Sequence, residues 1–119
     1  MRGTVTQWQV ITPDPARHSA FYRDLFGWAM DDDNPMGYRA AAMGPGGFDG
    51  GFWPAPPAVP AFAQLFIDVD DVDQAVTRAA GLGAQVIMPA QTLPGGDRLA
   101  ILRDPEGLSF GVFAKEASR

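Results

Sequence analysis

Between Val5 and Thr12 the run VTQWQVIT alternates, with Trp8 and Val10 on one side and Gln7 and Gln9 on the other, which predicts a strand covered on one face. Asp14 then Pro15 marks a helix start, because a carboxylate can cap free N–H groups and a proline needs no N–H at the first helical position. Phe21, Tyr22, Leu25 and Phe26 give that helix an apolar stripe expected to face the core, and Gly27 can end it. After Trp28 the run DDDNP reads as a solvated turn, and runs around Tyr38–Met43 and Phe48–Trp53, separated by GPGG, predict short strands joined by tight turns. The proline-rich PAPPAVP, residues 54–60, can continue neither a central strand nor a helix and divides the chain near its middle.

Beyond it the same order returns. FAQLFIDV predicts a strand, Asp71 a helix cap, and Val72, Ala75, Val76 and Ala79 a helix that runs to Gly81 and Gly83. AQVIMPAQ, DRLAILR and GLSFGVF supply three further strands, with PEG as the turn between the last two, and the closing AKEASR is expected to fray. A shift of 57 residues places Gln7 on Gln64, Asp14 on Asp71 and Leu25 on Leu82; a shift of 60 places Ala40 on Ala100, Pro45 on Pro105, Gly47 on Gly107 and Gly51 on Gly111. The chain is therefore read as a repeat, one module over about residues 1–54 and the second over about 61–115.

The alternation repeats too. Phe48, Gly50 and Phe52 align with Leu108, Phe110 and Val112, while Asp49, Gly51 and Trp53 align with Ser109, Gly111 and Phe113. Trp8, Val10, Leu65, Ile67 and Val69 make the apolar set expected under the helices, so Gln7, Gln9, Gln64, Phe66 and Asp68 fall on the opposite face. A concave surface of glutamine, serine, carboxylate and aromatic groups suits a small organic molecule. Gln7, Gln9, Trp53, Gln64, Phe66, Ser109 and Phe113 are the candidate ligand contacts.

Composition narrows the chemistry. The 119 residues are enough for one domain with its own core, and the absence of cysteine closes disulfides, zinc-thiolate sites and a thiol nucleophile. A formal net charge of -5 with scattered basic residues argues against a phosphate-tracking surface, so no nucleic acid is expected as a partner. With no bilayer-length apolar run and no signal-peptide pattern, no membrane partner and a cytoplasmic location are expected.

Three segments carry a family resemblance: VITPDPARHSAFYRDLFGW, IDVDDVDQAVTRAAGLGAQVIMP and ILRDPEGLSFGVF. With FY, LFGW and DPEG each in its proper unit, the chain resembles the vicinal oxygen chelate superfamily, which includes glyoxalase I, extradiol dioxygenases and bleomycin-type resistance proteins. The resemblance covers nearly the whole chain and implies an α+β fold of two tandem βαβββ modules forming a cupped mixed sheet, with helices on the outer face. It also implies a homodimer. Enzymes of the superfamily hold one divalent metal with side chains from the first and last strands of both modules, and those positions correspond here to Gln7, Gly51, Gln64 and Gly111. Glycine offers no side chain and an amide oxygen is a weak ligand, so neither a tightly bound metal nor another cofactor is expected. A small-molecule binder without metal is the leading expectation; a metal-dependent lyase or isomerase of the glyoxalase type, a metal-free enzyme and a drug-sequestering protein are the alternatives.

Several residues carry two readings. His18, the only histidine, lies inside the first helix, where a packing role outweighs a catalytic one. Asp49 and Asp68 are candidate general bases, or else strand-end and turn carboxylates in water. Asp31–Asp33 and DVDDVD lack the spacing of a calcium loop, and GPGGFDGG lacks the lysine and the strand–loop–helix setting of a phosphate loop. Trp53, Phe66 and Phe113 can stack on a flat ligand or simply fill the cup.

Overall fold

The computed structural model describes residues 3–58 and 60–116. Position 59 of the connector and the closing residues 117–119, where fraying was expected, lie outside the described residues. The order is β1 (Thr4–Thr12), α1 (Pro15–Phe26), β2 (Ala29–Asp31), β3 (Arg39–Ala42), β4 (Gly50–Pro54), β5 (Phe62–Asp68), α2 (Val72–Gly81), β6 (Gln85–Thr92), β7 (Arg98–Arg103) and β8 (Ser109–Ala114). This is βαβββ twice. β2, three residues that start just past Trp28, has no counterpart in the alternation pattern, and Pro54 belongs to β4 rather than to the connector. Residues 7–64 form one compact unit; the chain from Leu65 onward, with Thr6 and the residues before it, forms the other.

In the first unit the strand order is β2-β3-β4-β1, with β4 parallel to β1 and the other pairs antiparallel. Asp14 caps α1 by accepting from the Arg17 N–H at 3.1 Å, Pro15 opens the helix, and Gly27 closes it in the left-handed region at φ 74°. Helix α1 packs on β2, β3 and β4 through fewer apolar groups than its stripe suggested. Tyr22 stacks with Trp28 at 5.4 Å and meets Phe52 at 5.8 Å, whereas Phe21, Leu25 and Phe26 are each more than half exposed. The apolar stripe expected to be buried is thus largely on the surface, because the helix rests on its Ser19–Tyr22 edge, where Ser19 is its only buried residue.

In the second unit the order is β5-β8-β7-β6, again with the outer pairs antiparallel and β8 parallel to β5. Asp71 caps α2 by accepting from the Gln74 N–H at 3.0 Å. Val72 and Ala75 of α2 pack with Val69, Ala100, Leu102, Val112 and Ala114 into a continuous core. Arg98 of β7 makes a two-pronged ion pair with Asp73 of α2, both contacts at 2.8 Å, which pins helix to sheet. β6 ends the order and carries Pro89 within the register shift between Met88 and Gln91, as an edge strand tolerates. Leu65, expected under the helix, is 47% exposed.

The parallel pairings show the repeat. Gln9 faces Gly51 across β1 and β4, and Phe66 faces Gly111 across β5 and β8. Phe66 is the mate of Gln9 at the 57-residue shift and Gly111 the mate of Gly51 at the 60-residue shift. Both modules therefore set their first and last strands in one register.

Candidate functional site

The face of the first unit opposite α1 is set by that register. Trp8 and Phe52 turn to the helix side, where Phe52 meets Trp8, His18 and Tyr22. Gln7, Gln9, Gly51 and Trp53 take the other side. Gln9 is 2% exposed, and its amide nitrogen donates to the side-chain oxygen of Gln7. The Gln9 side-chain oxygen, itself out of solvent, has no hydrogen-bond partner among the described residues.

Tyr38 completes this cluster, and the sequence reading missed it as a site residue. Its ring lies over Gly51, so that a Cβ added to the glycine would fall among the Tyr38 ring and hydroxyl atoms. It also packs on Trp53 at 4.6 Å between ring centroids, tilted by 35°. Burial pushes the Tyr38 hydroxyl pKa above its ordinary value; a hydrogen bond from the Gln9 side chain pulls it partly back, and the charge of Asp49 pushes the same way as burial. Tyr38 thus stays a neutral O–H donor at physiological pH. Asn34 places it: the Asn34 oxygen accepts from the Tyr38 N–H at 3.1 Å and from Met36 N–H at 3.0 Å, while its amide donates to the Tyr38 carbonyl at 2.7 Å. The segment read as a solvated turn is in part a built loop. The available signal was an Asn-Pro pair ahead of an aromatic residue, since asparagine folds chain around its own side chain.

The second unit repeats the device with different chemistry. Phe66, 3% exposed, covers Gly111, and a Cβ there would stand 2.7 Å from the Phe66 ring. Phe66 is a buried filler over that glycine, while Phe113 and Ser109 on β8 are half-buried. Asp68 is half-buried beside Phe113 in the β5–β8 register, and Gln64 is buried. The two carboxylates differ in setting. Asp49 is exposed and accepts from the Met43 N–H at 2.8 Å, closing the β3–β4 turn.

His18 follows its packing reading. Its Nδ1 lies 3.0 Å from the Thr12 hydroxyl and its ring 5.3 Å from that of Phe52, on the helix side. The DPEG turn is held by Asp104, whose carboxylate accepts from Glu106 and Leu108 N–H groups, with Gly107 at φ 92°. Among the described residues no group of three or more His, Cys, Asp or Glu side chains is placed to hold a metal ion, and no helix is long and apolar enough to cross a membrane.

A family described as glyoxalase-like domain matches residues 7–113, and so spans both modules and both covered glycines. The chain belongs to that family. Among the relatives of this glyoxalase-like domain is CFP32 of Mycobacterium tuberculosis, whose name places it with the glyoxylases: the two are 32% identical over 94% of this chain and 46% of that protein. The anthracycline biosynthesis protein DnrV of Streptomyces peucetius is 30% identical over 87% of this chain and 44% of its own length. The chain thus spans about half the length of the curated relatives it matches. A variant of Streptomyces coelicolor methylmalonyl-CoA epimerase, solved with 2-nitronate-propionyl-CoA, shares the fold at a TM-score of 0.64 and 14% identity, covering 97% of this chain and 99% of that one. These likenesses fit the glyoxalase, bleomycin-resistance and dioxygenase superfamily that the motifs pointed to.

The superfamily's metal does not suit the residues present. Of the four corresponding positions, Gly51 and Gly111 offer no side-chain donor, and the space above each is taken by an aromatic ring. Gln7 and Gln64 offer amides, a donor set that favours no divalent cation over water.

Proposed function

We propose that this glyoxalase-like domain binds a small organic molecule on the strand face opposite its helices, without a tightly held divalent metal. The observation that supports this most directly is the filling of both glycine positions: Tyr38 sits over Gly51 and Phe66 over Gly111. What remains on the face is aromatic and amide surface, which recognises an organic molecule by stacking and hydrogen bonding. Gln7, Gln9, Tyr38, Trp53 and Gln64 are the ligand contacts proposed in the unit of residues 7–64, with Ser109 and Phe113 of β8 in the other. The epimerase complex illustrates that this fold accommodates an organic ligand. The test is metal analysis of purified protein after dialysis against nickel, zinc, iron and manganese. Less than about one-tenth of an equivalent is expected for a site without carboxylate or imidazole ligands; one equivalent of any of them overturns the metal-free reading.

A metal-free enzyme is the second reading, favoured by the half-buried setting of Asp68 beside Phe113. A carboxylate there could take a proton from a bound substrate. Thermal-shift hits that are also turned over, with turnover lost in Asp68→Asn, would establish it; hits bound unchanged leave a binder, the drug-sequestering class included. Homodimerisation, also proposed from the superfamily resemblance, is checked by sedimentation.

A further inference from the structure

The buried oxygen of Gln9 and the hydroxyl of Tyr38 stand at one place on this face, on either side of Gly51. The Gln9 nitrogen donates to the Gln7 oxygen, and the Gln9 side chain lies near enough to the Tyr38 hydroxyl to act on its pKa. The Tyr38 hydroxyl lies over Gly51, which faces Gln9 across β1 and β4, and it turns about its own C–O bond, so its hydrogen can be offered to a group bound there. The Gln9 oxygen is buried and without a partner among the described residues. A lone buried acceptor is costly, and a complementary group would recover that cost.

We infer that the Tyr38 hydroxyl and the Gln9 side-chain oxygen form a donor–acceptor pair for an uncharged amide group, or a carbonyl with a neighbouring N–H or O–H, carried on a flat body that lies against Trp53. This rests on the small-molecule reading above and names the chemistry of its ligand. The carbonyl oxygen would accept from Tyr38 and the N–H would donate to Gln9.

Charge argues for a neutral group over an anion. Gln7, Gln9 and Ile11 of β1, Gly51 and Trp53 of β4 and Ala40 of β3 share this face by register, and none is a cation. Arg39 pairs with Phe52 and so starts from the helix face. The charge that acts on Tyr38 is that of Asp49, which repels a carboxylate. Tyr38 and Trp53 are both half-buried, so this ring pair is what must give way to admit the ligand.

Three probes with one ring system test it: naphthamide, naphthoate and ethylnaphthalene, titrated by calorimetry against the wild-type chain and against Tyr38→Phe, Gln9→Leu and Trp53→Ala. Naphthamide is expected to bind at least about tenfold tighter than the other two, the ratio one well-made hydrogen bond supplies. Tyr38→Phe keeps the ring over Gly51 and should abolish that preference, with loss of the red shift of an isotope-labelled amide carbonyl in the infrared. Trp53→Ala should weaken all three probes alike. Equal affinity for the three probes, or a preference that survives Tyr38→Phe, overturns the pair and means that it holds ordered water only, while the small-molecule reading stands. No binding of any probe overturns the pair too, and a thermal-shift screen that also finds no ligand takes the small-molecule reading with it. If Gln9→Leu does not fold, the Tyr38→Phe affinity ratio and infrared shift decide alone.

Discussion

Tyr38 covers Gly51 so closely that the glycine's missing side chain and the tyrosine ring claim the same space. Gly51→Ala is therefore an overpacking change and should cost about 1–3 kcal/mol in urea unfolding. In a Tyr38→Ala background the same change should cost much less, because the ring is gone. Additive losses in the double mutant would mean that the two residues do not compete.

The repeat predicts matched helix starts. Asp14 and Asp71 each accept one N–H of the first turn, from Arg17 and Gln74. Asp14→Ala and Asp71→Ala should each lower stability by about 1 kcal/mol, with the paired losses adding, since the caps lie on separate helices. Thermal melts of the two single mutants and the double mutant check this.

Tyr38 should leave a mark on the pH dependence of folding. Its hydroxyl pKa is raised by burial, against the ordinary 10.0, so the folded chain keeps a proton that the unfolded chain gives up. Stability from this group is intact below the unfolded value and falls as pH rises from there through the folded pKa. Melting temperatures taken across that alkaline range should decline more steeply in the wild type than in Tyr38→Phe, and an ultraviolet titration should find one tyrosine ionising late.

His18 should matter to the fold and not to the ligand. Its ring nitrogen meets the buried Thr12 hydroxyl and its ring packs on Phe52. His18→Ala should cost about 1 kcal/mol or more by removing the ring from Phe52 and leaving the Thr12 hydroxyl with the longer contact from the Asp14 N–H alone. Affinity for any ligand bound on the opposite face should stay within about twofold, a difference far below one hydrogen bond. A loss of binding without a loss of stability would give His18 a role at the site.

Much of the architecture was legible in one dimension because its determinants are local. Asp-Pro and Gly27 set the ends of α1 through backbone hydrogen bonds within a few residues. The period of two along β1, β4 and β8 assigned the faces, so Phe52 and Trp53 fell on opposite sides as expected. The repeat placed Gly51 and Gly111 in equivalent seats. Composition likewise removed thiol chemistry, since the chain holds no cysteine.

What covers those seats was decided only in three dimensions. Alternation says which way a residue points and nothing about which distant ring comes to rest on it. Phe66 could be placed on the right face, yet its burial over Gly111 depends on the β5–β8 pairing. Tyr38 reaches Gly51 from a loop that Asn34 folds, and Phe21, Leu25 and Phe26 stay exposed because helix α1 rests on a different edge. Helix caps and strand period are energies of neighbouring residues, whereas the filling of a cavity is settled by whichever side chains the packed strands bring together.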